Sequence, residues 1–186
     1  MLPGKALLIK AKATVTPFVH NTPVLTSTLI DELVGARIYF KCENFQKMGA
    51  FKMRGAVHHM MNLPEEQRVK GVVTHSSGNF GQAVALSAKN LGIDAYIVIP
   101  ANAPRVKKDA VKSYGGKIIE CKPTIEARGR ATKRIQKETG AAFIHPSNDM
   151  HVILGNSTAA LELLEAHADL NDIYVGSVTK VVCEFR

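Results

Sequence analysis

Three observations predict an α/β fold, with parallel sheets and flanking helices. From Val72 onward, short apolar runs alternate with helical patterns, and the connections between them are brief. Residues 95–99 are apolar throughout, as a strand buried on both faces must be. Parallel neighbours need crossover connections, which the intervening helices supply.

The elements follow in order. The first twenty residues carry no clear pattern, and Thr22-Pro23 then forces an extended segment. Thr26 or Ser27 can cap a short helix bearing Leu29, Ile30, Leu33 and Val34 on one side, ended by Gly35. Residues 37–42 alternate as a strand does, and 52–62 read as a helix stopped by Leu63-Pro64. Residues 72–74 form a strand, 80–91 a helix closed by Gly92, and 95–99 a strand ended by Pro100. The helix over 104–114 places Val106, Ala110, Val111 and Tyr114 on one face, with Gly115-Gly116 behind it. A strand over 117–121 precedes a basic helix capped by Thr124 and running to Gly140. A strand over 142–145, an apolar-faced helix over 157–167 and a last strand over 173–175 complete the pattern.

Composition narrows the function. The apolar share of 46% with 22% charged residues is that of a globular protein, and no apolar run approaches the length of a membrane span. Lys5, Lys10 and Lys12 make a weak case for an organelle presequence; an ordinary cytoplasmic amino terminus is the expectation. Cys42, Cys121 and Cys183 are odd in number and far apart, which argues for a reducing compartment and against a disulfide frame or a zinc site. Seven histidines without ligand spacing give a metal site no support either. The net charge of +8 sits mostly between Arg105 and Lys137 on amphipathic patterns, without an array of stacking aromatics. A solvated basic face is expected, rather than a nucleic-acid surface.

Two stretches carry chemistry. Gly49-Ala-Phe-Lys-Met-Arg-Gly-Ala56 sets Lys52 beside apolar bulk, which strips its ammonium of hydration and frees an amine for attack on a carbonyl. His75-Ser-Ser-Gly-Asn-Phe-Gly-Gln82 lies between a strand and a helix, beyond the carboxyl end of the strand, where ligands of such sheets bind. Its glycine, helix-end amides and hydroxyls suit a carboxylate or a phosphate, although serine and asparagine are equally the residues of an ordinary capped turn.

Together these stretches resemble the serine racemase and serine/threonine dehydratase family, pyridoxal-phosphate enzymes of the tryptophan synthase β-like fold. The likeness extends to Thr22-Pro-Val-Leu-Thr-Ser27, Phe40-Lys-Cys-Glu-Asn-Phe-Gln46, Ala95-Tyr-Ile-Val-Ile-Pro100, Tyr114-Gly115 and His145-Pro146, from about Thr22 to Glu165. Gly55 and Ser76 point away from the related cysteine synthase branch. The resemblance implies that Lys52 binds the cofactor aldehyde as an imine and takes the α-proton. It implies that Phe51 packs beside the ring and that Asn79 bonds its 3′ oxygen. Ser76, Ser77, Gly78 and Asn79 would hold the substrate carboxylate, assisted by Arg128, and Ser77 is the second acid. Arg128 also fits a solvated face, among Arg130, Lys133 and Arg134. Ser27, Thr28, Lys47, Gln82 and Tyr114 fall at a nucleotide effector's contact positions. A small amino-acid substrate, serine or threonine, and a homodimeric complete form are likewise implied.

Four departures qualify the resemblance. Phe80 stands where many relatives have histidine, Ser147 where racemases have asparagine, and Gly155-Asn-Ser-Thr158 replaces Gly-Gln-Gly-Thr. After Val175 the expected glycine run that cups the cofactor phosphate does not follow, and the divalent-metal carboxylates of the family are missing with it. The expectation is a carboxy-terminally truncated chain. Residues 71–148 would form the whole smaller α/β domain, and 1–70 with 149–186 part of the larger, cofactor-binding one. Such a chain would leave apolar surface unburied and be impaired or inactive. Two other classes compete: a non-catalytic remnant that only binds a partner, and a basic nucleic-acid binder.

Overall fold

The computed structural model describes residues 3–76 and 78–175. Helix α1, Lys5–Val15, buries Ala11 and Val15 and packs against the last helix of the chain. Little in the residues announces it, because no side chain caps its start and only two residues turn inward. A 3₁₀ turn follows, then β1, Val24–Leu25, helix α2, Thr28–Val34, and β2, Phe40–Lys41. Strands β1 and β2 pair antiparallel, and the strand expected over 37–42 reduces to Phe40–Lys41. Gly35 ends α2 at φ 68°, a left-handed conformation that suits a residue without Cβ. Two 3₁₀ turns lead to α3, Lys52–Met61, and then to the one-turn helix α4, Glu65–Arg68.

The centre of the molecule is a four-stranded parallel sheet. Strands β3, Val72–His75, β4, Ala95–Pro100, β5, Lys117–Cys121, and β6, Ala142–Phe143, lie in the order β5-β4-β3-β6. They alternate with α5, Asn79–Leu91, α6, Arg105–Ser113, and α7, Ile125–Thr139; α8, Met150–Ala166, closes the described chain. The apolar run of β4 is buried as its composition requires, with Ile97, Val98 and Ile99 at most 1% exposed. One core joins α3, α5 and α8 to one face of the sheet through Met60, Phe80, Val84, Ile97 and Val152. A smaller one seals the other face beneath α7 through Val73, Val98 and Ile135.

Three expectations fail. Residues 173–175 form no strand: Tyr174 and Val175 are exposed and pair with nothing among the described residues, so no ladder holds them extended. The inward face of α6 reduces to a buried Val111 with half-buried Ala110 and Tyr114, while Val106 lies in solvent because the sheet ends at β5. Helix α8 begins at Met150, seven residues ahead of its expected start. Asp149 caps it, accepting from the Val152 amide at 3.0 Å. Gly155, ahead of the expected start, is a point of close approach: a Cβ there would lie 2.5 Å from the Arg54 carbonyl oxygen. Its counterpart Gly55 would meet Asn156 Oδ1 at 2.6 Å, so the two glycines let α3 and α8 touch backbone to backbone.

Candidate active site

The sheet order sets the place. From β3 the chain builds outward through β4 and β5, then returns to add β6 on the other side of β3. Strands β3 and β6 thus flank the strand switch, and ligands of such sheets bind beyond the carboxyl ends there. Ser76 follows β3, Gly78 is the N-cap of α5, and His145 follows β6. Side chains from the two strand ends meet there: the His75 ring lies 5.3 Å from Phe143 and 5.7 Å from His145. His145 Nδ1 accepts from the amides of Ser147 at 3.2 Å and Asn148 at 2.7 Å, which leaves Nε2 carrying the proton. Burial, with His145 and Arg128 close by, pushes the His75 imidazole below its ordinary pKa. The sequence places His75 and His145 beside loops, but only the strand order brings them together.

Ser76, Gly78 and Asn79 form the start of α5. The Ser76 amide bonds Val98 O at 3.1 Å, continuing the ladder, and the Gly78 amide donates to Ser76 Oγ at 3.2 Å. Gly81 allows this turn to fold back, since a Cβ there would sit 2.8 Å from Ser76 O. Helices α7 and α8 are capped by their own Thr124 and Asp149 side chains, whereas no side chain among the described residues caps α5. Its first amides thus point outward with a partial positive charge, suited to an anion. Ser77 lies outside the described residues.

Lys52 opens α3, with Phe51 at the N-cap. Its Nζ sits 4.6 Å from the centre of the Phe51 ring, and half-burial alone holds its ammonium below the usual lysine range. Helix α3 packs along α5, where Ser87 Oγ reaches Met53 Sδ at 3.3 Å. Lysine and loop therefore start adjacent helices, although no hydrogen bond among the described residues joins Lys52 to Ser76, Gly78 or Asn79. Arg128, in the first turn of α7, is half-buried, unlike its exposed neighbours Arg130, Lys133 and Arg134. Its Nε is buried without a hydrogen-bond partner among the described residues. It acts electrostatically on His75 and on Cys121, whose thiol burial pushes up.

The effector positions scatter more widely. Lys47 is next to α5, which carries Gln82, and Tyr114 packs on the main core. Ser27 and Thr28 start α2, and no hydrogen bond among the described residues joins them to the other three. A cavity of about 1190 Å³ is lined by Ser27, Arg37, Tyr39, Lys41, Asp169 and Asp172 among others, and by neither Lys52 nor Ser76, Gly78 or Asn79.

Sequence reasoning missed what anchors α3. Arg54, fully buried, donates to Glu162 at 2.7 and 2.8 Å and to Glu43 at 2.9 and 2.8 Å. Lys41 completes the group, 2.7 Å from Glu162. Arginine in an otherwise buried helical turn was the available signal, since a buried cation must find anions.

Comparison with known proteins gives the class. Residues 15–183 match the pyridoxal-phosphate dependent enzyme family, and the chain belongs to it. It is 54% identical over 166 residues to the serine racemase of Oryza sativa subsp. indica, covering 89% of this chain and 49% of that protein. The solved structure of maize serine racemase aligns with a TM-score of 0.87 at 52% identity, over 89% of this chain and 50% of that one. The processed form of threonine deaminase isoform 2 from Solanum lycopersicum aligns at 0.83 with 31% identity, over 89% of this chain and 46% of the other. The fold is the tryptophan synthase β-like one, and the chain spans about half the length of the curated relatives it matches.

Proposed function

We propose that the protein acts in the pyridoxal-phosphate-dependent racemisation or β-elimination of L-serine or L-threonine. The observation that carries this reading is Lys52: a half-buried, desolvated amine beside an aromatic ring, on a helix packed against the one whose uncapped end opens the strand switch. These residues fit the cofactor. Lys52 would hold its aldehyde, Phe51 would lie beside its ring, and Asn79 would bond its 3′ oxygen. When bound, the group supplies an electron sink for the pair left at the substrate α-carbon.

The chain's own residues do the rest. Ser76, Ser77, Gly78 and Asn79 would receive the substrate carboxylate on amides and hydroxyls, and Arg128 would supply the compensating charge. The Lys52 amine, whose charged form burial disfavours, accepts the α-proton. Loss of the β-hydroxyl as water, followed by hydrolysis of the released enamine by another water, leads to a keto acid and ammonia. A proton returned to the opposite face, with Ser77 as its donor, inverts the centre.

Residues 71–148 are assigned to a smaller domain, and 1–70 with 149–186 to part of a larger one. Ser27, Thr28, Lys47, Gln82 and Tyr114 are assigned to a nucleotide effector, and the complete form to a cytoplasmic homodimer that also takes a divalent metal. The 186 residues alone, half the relatives' length, are expected to turn over weakly or not at all. Incubation with pyridoxal phosphate and L-serine, followed by assays for D-serine and pyruvate, tests the reading. Traces of either product that vanish in Lys52→Ala support it. A cavity of about 1190 Å³ that Lys52 does not line favours a second reading, a non-catalytic chain that binds a partner. Absence of product together with absence of cofactor binding would select it.

A further inference from the structure

Positive charge is concentrated at one edge of the sheet. Residues 105–137 hold eleven of the 24 lysines and arginines but only three of the 16 acidic residues. They run through α6, β5 and α7, and β5 is the outermost strand of the order β5-β4-β3-β6. Among the described residues β5 pairs with β4 alone. The Cys121 carbonyl accepts from the Ala101 amide at 2.9 Å, so Cys121 faces β4. In a parallel ladder the amide and carbonyl of one residue point to the same neighbour, and successive residues alternate. Ile118 and Glu120 therefore turn theirs outward, where no backbone group among the described residues takes them up.

Both flanks of this edge are basic. Helix α6 packs with α5 on one face of the sheet, and α7 covers the other. On the α6 side Lys108 donates to the Glu120 carboxylate at 2.7 Å, and that bond, with the charge of Lys112, holds the carboxyl below its usual range. On the α7 side the exposed Arg130 and Arg134 line a pocket of about 270 Å³ with Ala131 and Glu120. One carboxylate thus stands among four cations, and Lys112 and Arg130 have no ion-pair partner among the described residues.

We propose that the β5 edge is a docking site for an acidic, extended segment of another protein, which adds beside β5 as a fifth strand. A strand turns successive side chains to opposite faces of its sheet. Consecutive carboxylates on the added strand therefore meet Lys108 and Lys112 on one face and Arg130 and Arg134 on the other. Its main chain bonds the outward groups of Ile118 and Glu120. A second copy of this chain would bring one basic edge against another and be repelled. A polynucleotide has no row of amides to pair with a strand edge, and Tyr114, the one aromatic residue within 105–137, packs on the core rather than offering a stacking face. The edge shares no residue with Lys52 or with the start of α5, so it is independent of the proposed function.

Fluorescence anisotropy of a labelled peptide of about eight residues, glutamate interspersed with valine and threonine, titrated with the whole chain, tests this. At about 50 mM salt the peptide should bind, and the amides of Ile118 and Glu120 should exchange about tenfold more slowly in its presence. A central proline keeps the peptide's charge but removes a strand donor, and should weaken binding about tenfold or more. Arg130→Glu with Arg134→Glu should weaken it about as much, while Lys5→Glu with Lys10→Glu, exposed on α1, should leave it unchanged. Equal affinity for the proline peptide overturns the proposal, because charge alone then suffices. So does a lack of binding, or tighter binding of an oligothymidylate of equal charge.

Discussion

Helices α2 and α5 both read as apolar-faced, yet α5 buries seven residues, from Phe80 to Ala88, and α2 buries none. The difference lies in the neighbours. Helix α5 follows a strand of a four-stranded sheet and packs back onto it, with α3 and α6 on its flanks. Helix α2 follows a strand of two residues, whose single partner is equally short. Periodicity therefore predicts which side of a helix is apolar; whether that side is buried depends on what the remaining chain builds beside it.

Four substitutions would break or sharpen this contrast. The largest effect is expected from Arg54→Met, which leaves the Glu43 and Glu162 carboxylates without their shared cation. It should cost about 3–5 kcal/mol in denaturant unfolding and free residues 20–46 from α8. Next comes truncation in the two regions. Met60→Ala, in the core under α5, should cost about 2–5 kcal/mol, and Leu33→Ala on α2 about 0.5 kcal/mol or less. Equal costs would show that α2 has a buried face after all. Gly55→Ala should cost about 1–3 kcal/mol by forcing α3 from α8, read as a lower thermal midpoint.

The smallest effect is a pH dependence. Burial holds the His58 imidazole below its ordinary value, while its Nδ1 bonds the His151 carbonyl at 2.7 Å. On acidification the unfolded chain takes up this proton first, at the free-imidazole value of about 6.5. Stability is thus complete above that pH and falls as the pH drops toward the folded-state value. Unfolding measured between about pH 7.5 and pH 5 should show the loss, with a shallower slope in His58→Gln; unchanged slopes would remove His58 from the account.

Much of the central sheet was legible. Strand β5 falls where the sequence puts it, and β3, β4 and α7 agree to within about a residue, because strand burial on both faces and the Thr124 and Gly140 caps leave local marks. The start of α8 was not legible, since the use of a glycine at 155 inside a helix shows only when α3 is seen lying against it. Strand order was hidden for a like reason. Nothing local in residues 142–143 says that they pair with β3 rather than with β5, yet that pairing creates the switch and gathers His75 and His145. Of the candidate site, the types and positions of Lys52 and residues 76–79 could be read directly. The half-burial of Arg128, against its solvated neighbours, needed the packed helix.

The account turns on Lys52 as the amine that carries pyridoxal phosphate. Borohydride reduction of the protein incubated with the cofactor, followed by peptide mass mapping, addresses this directly. The prediction is one pyridoxyl group per chain on the peptide containing Lys52, diminished in Asn79→Ala. A label spread over exposed lysines, or none on Lys52, would contradict it.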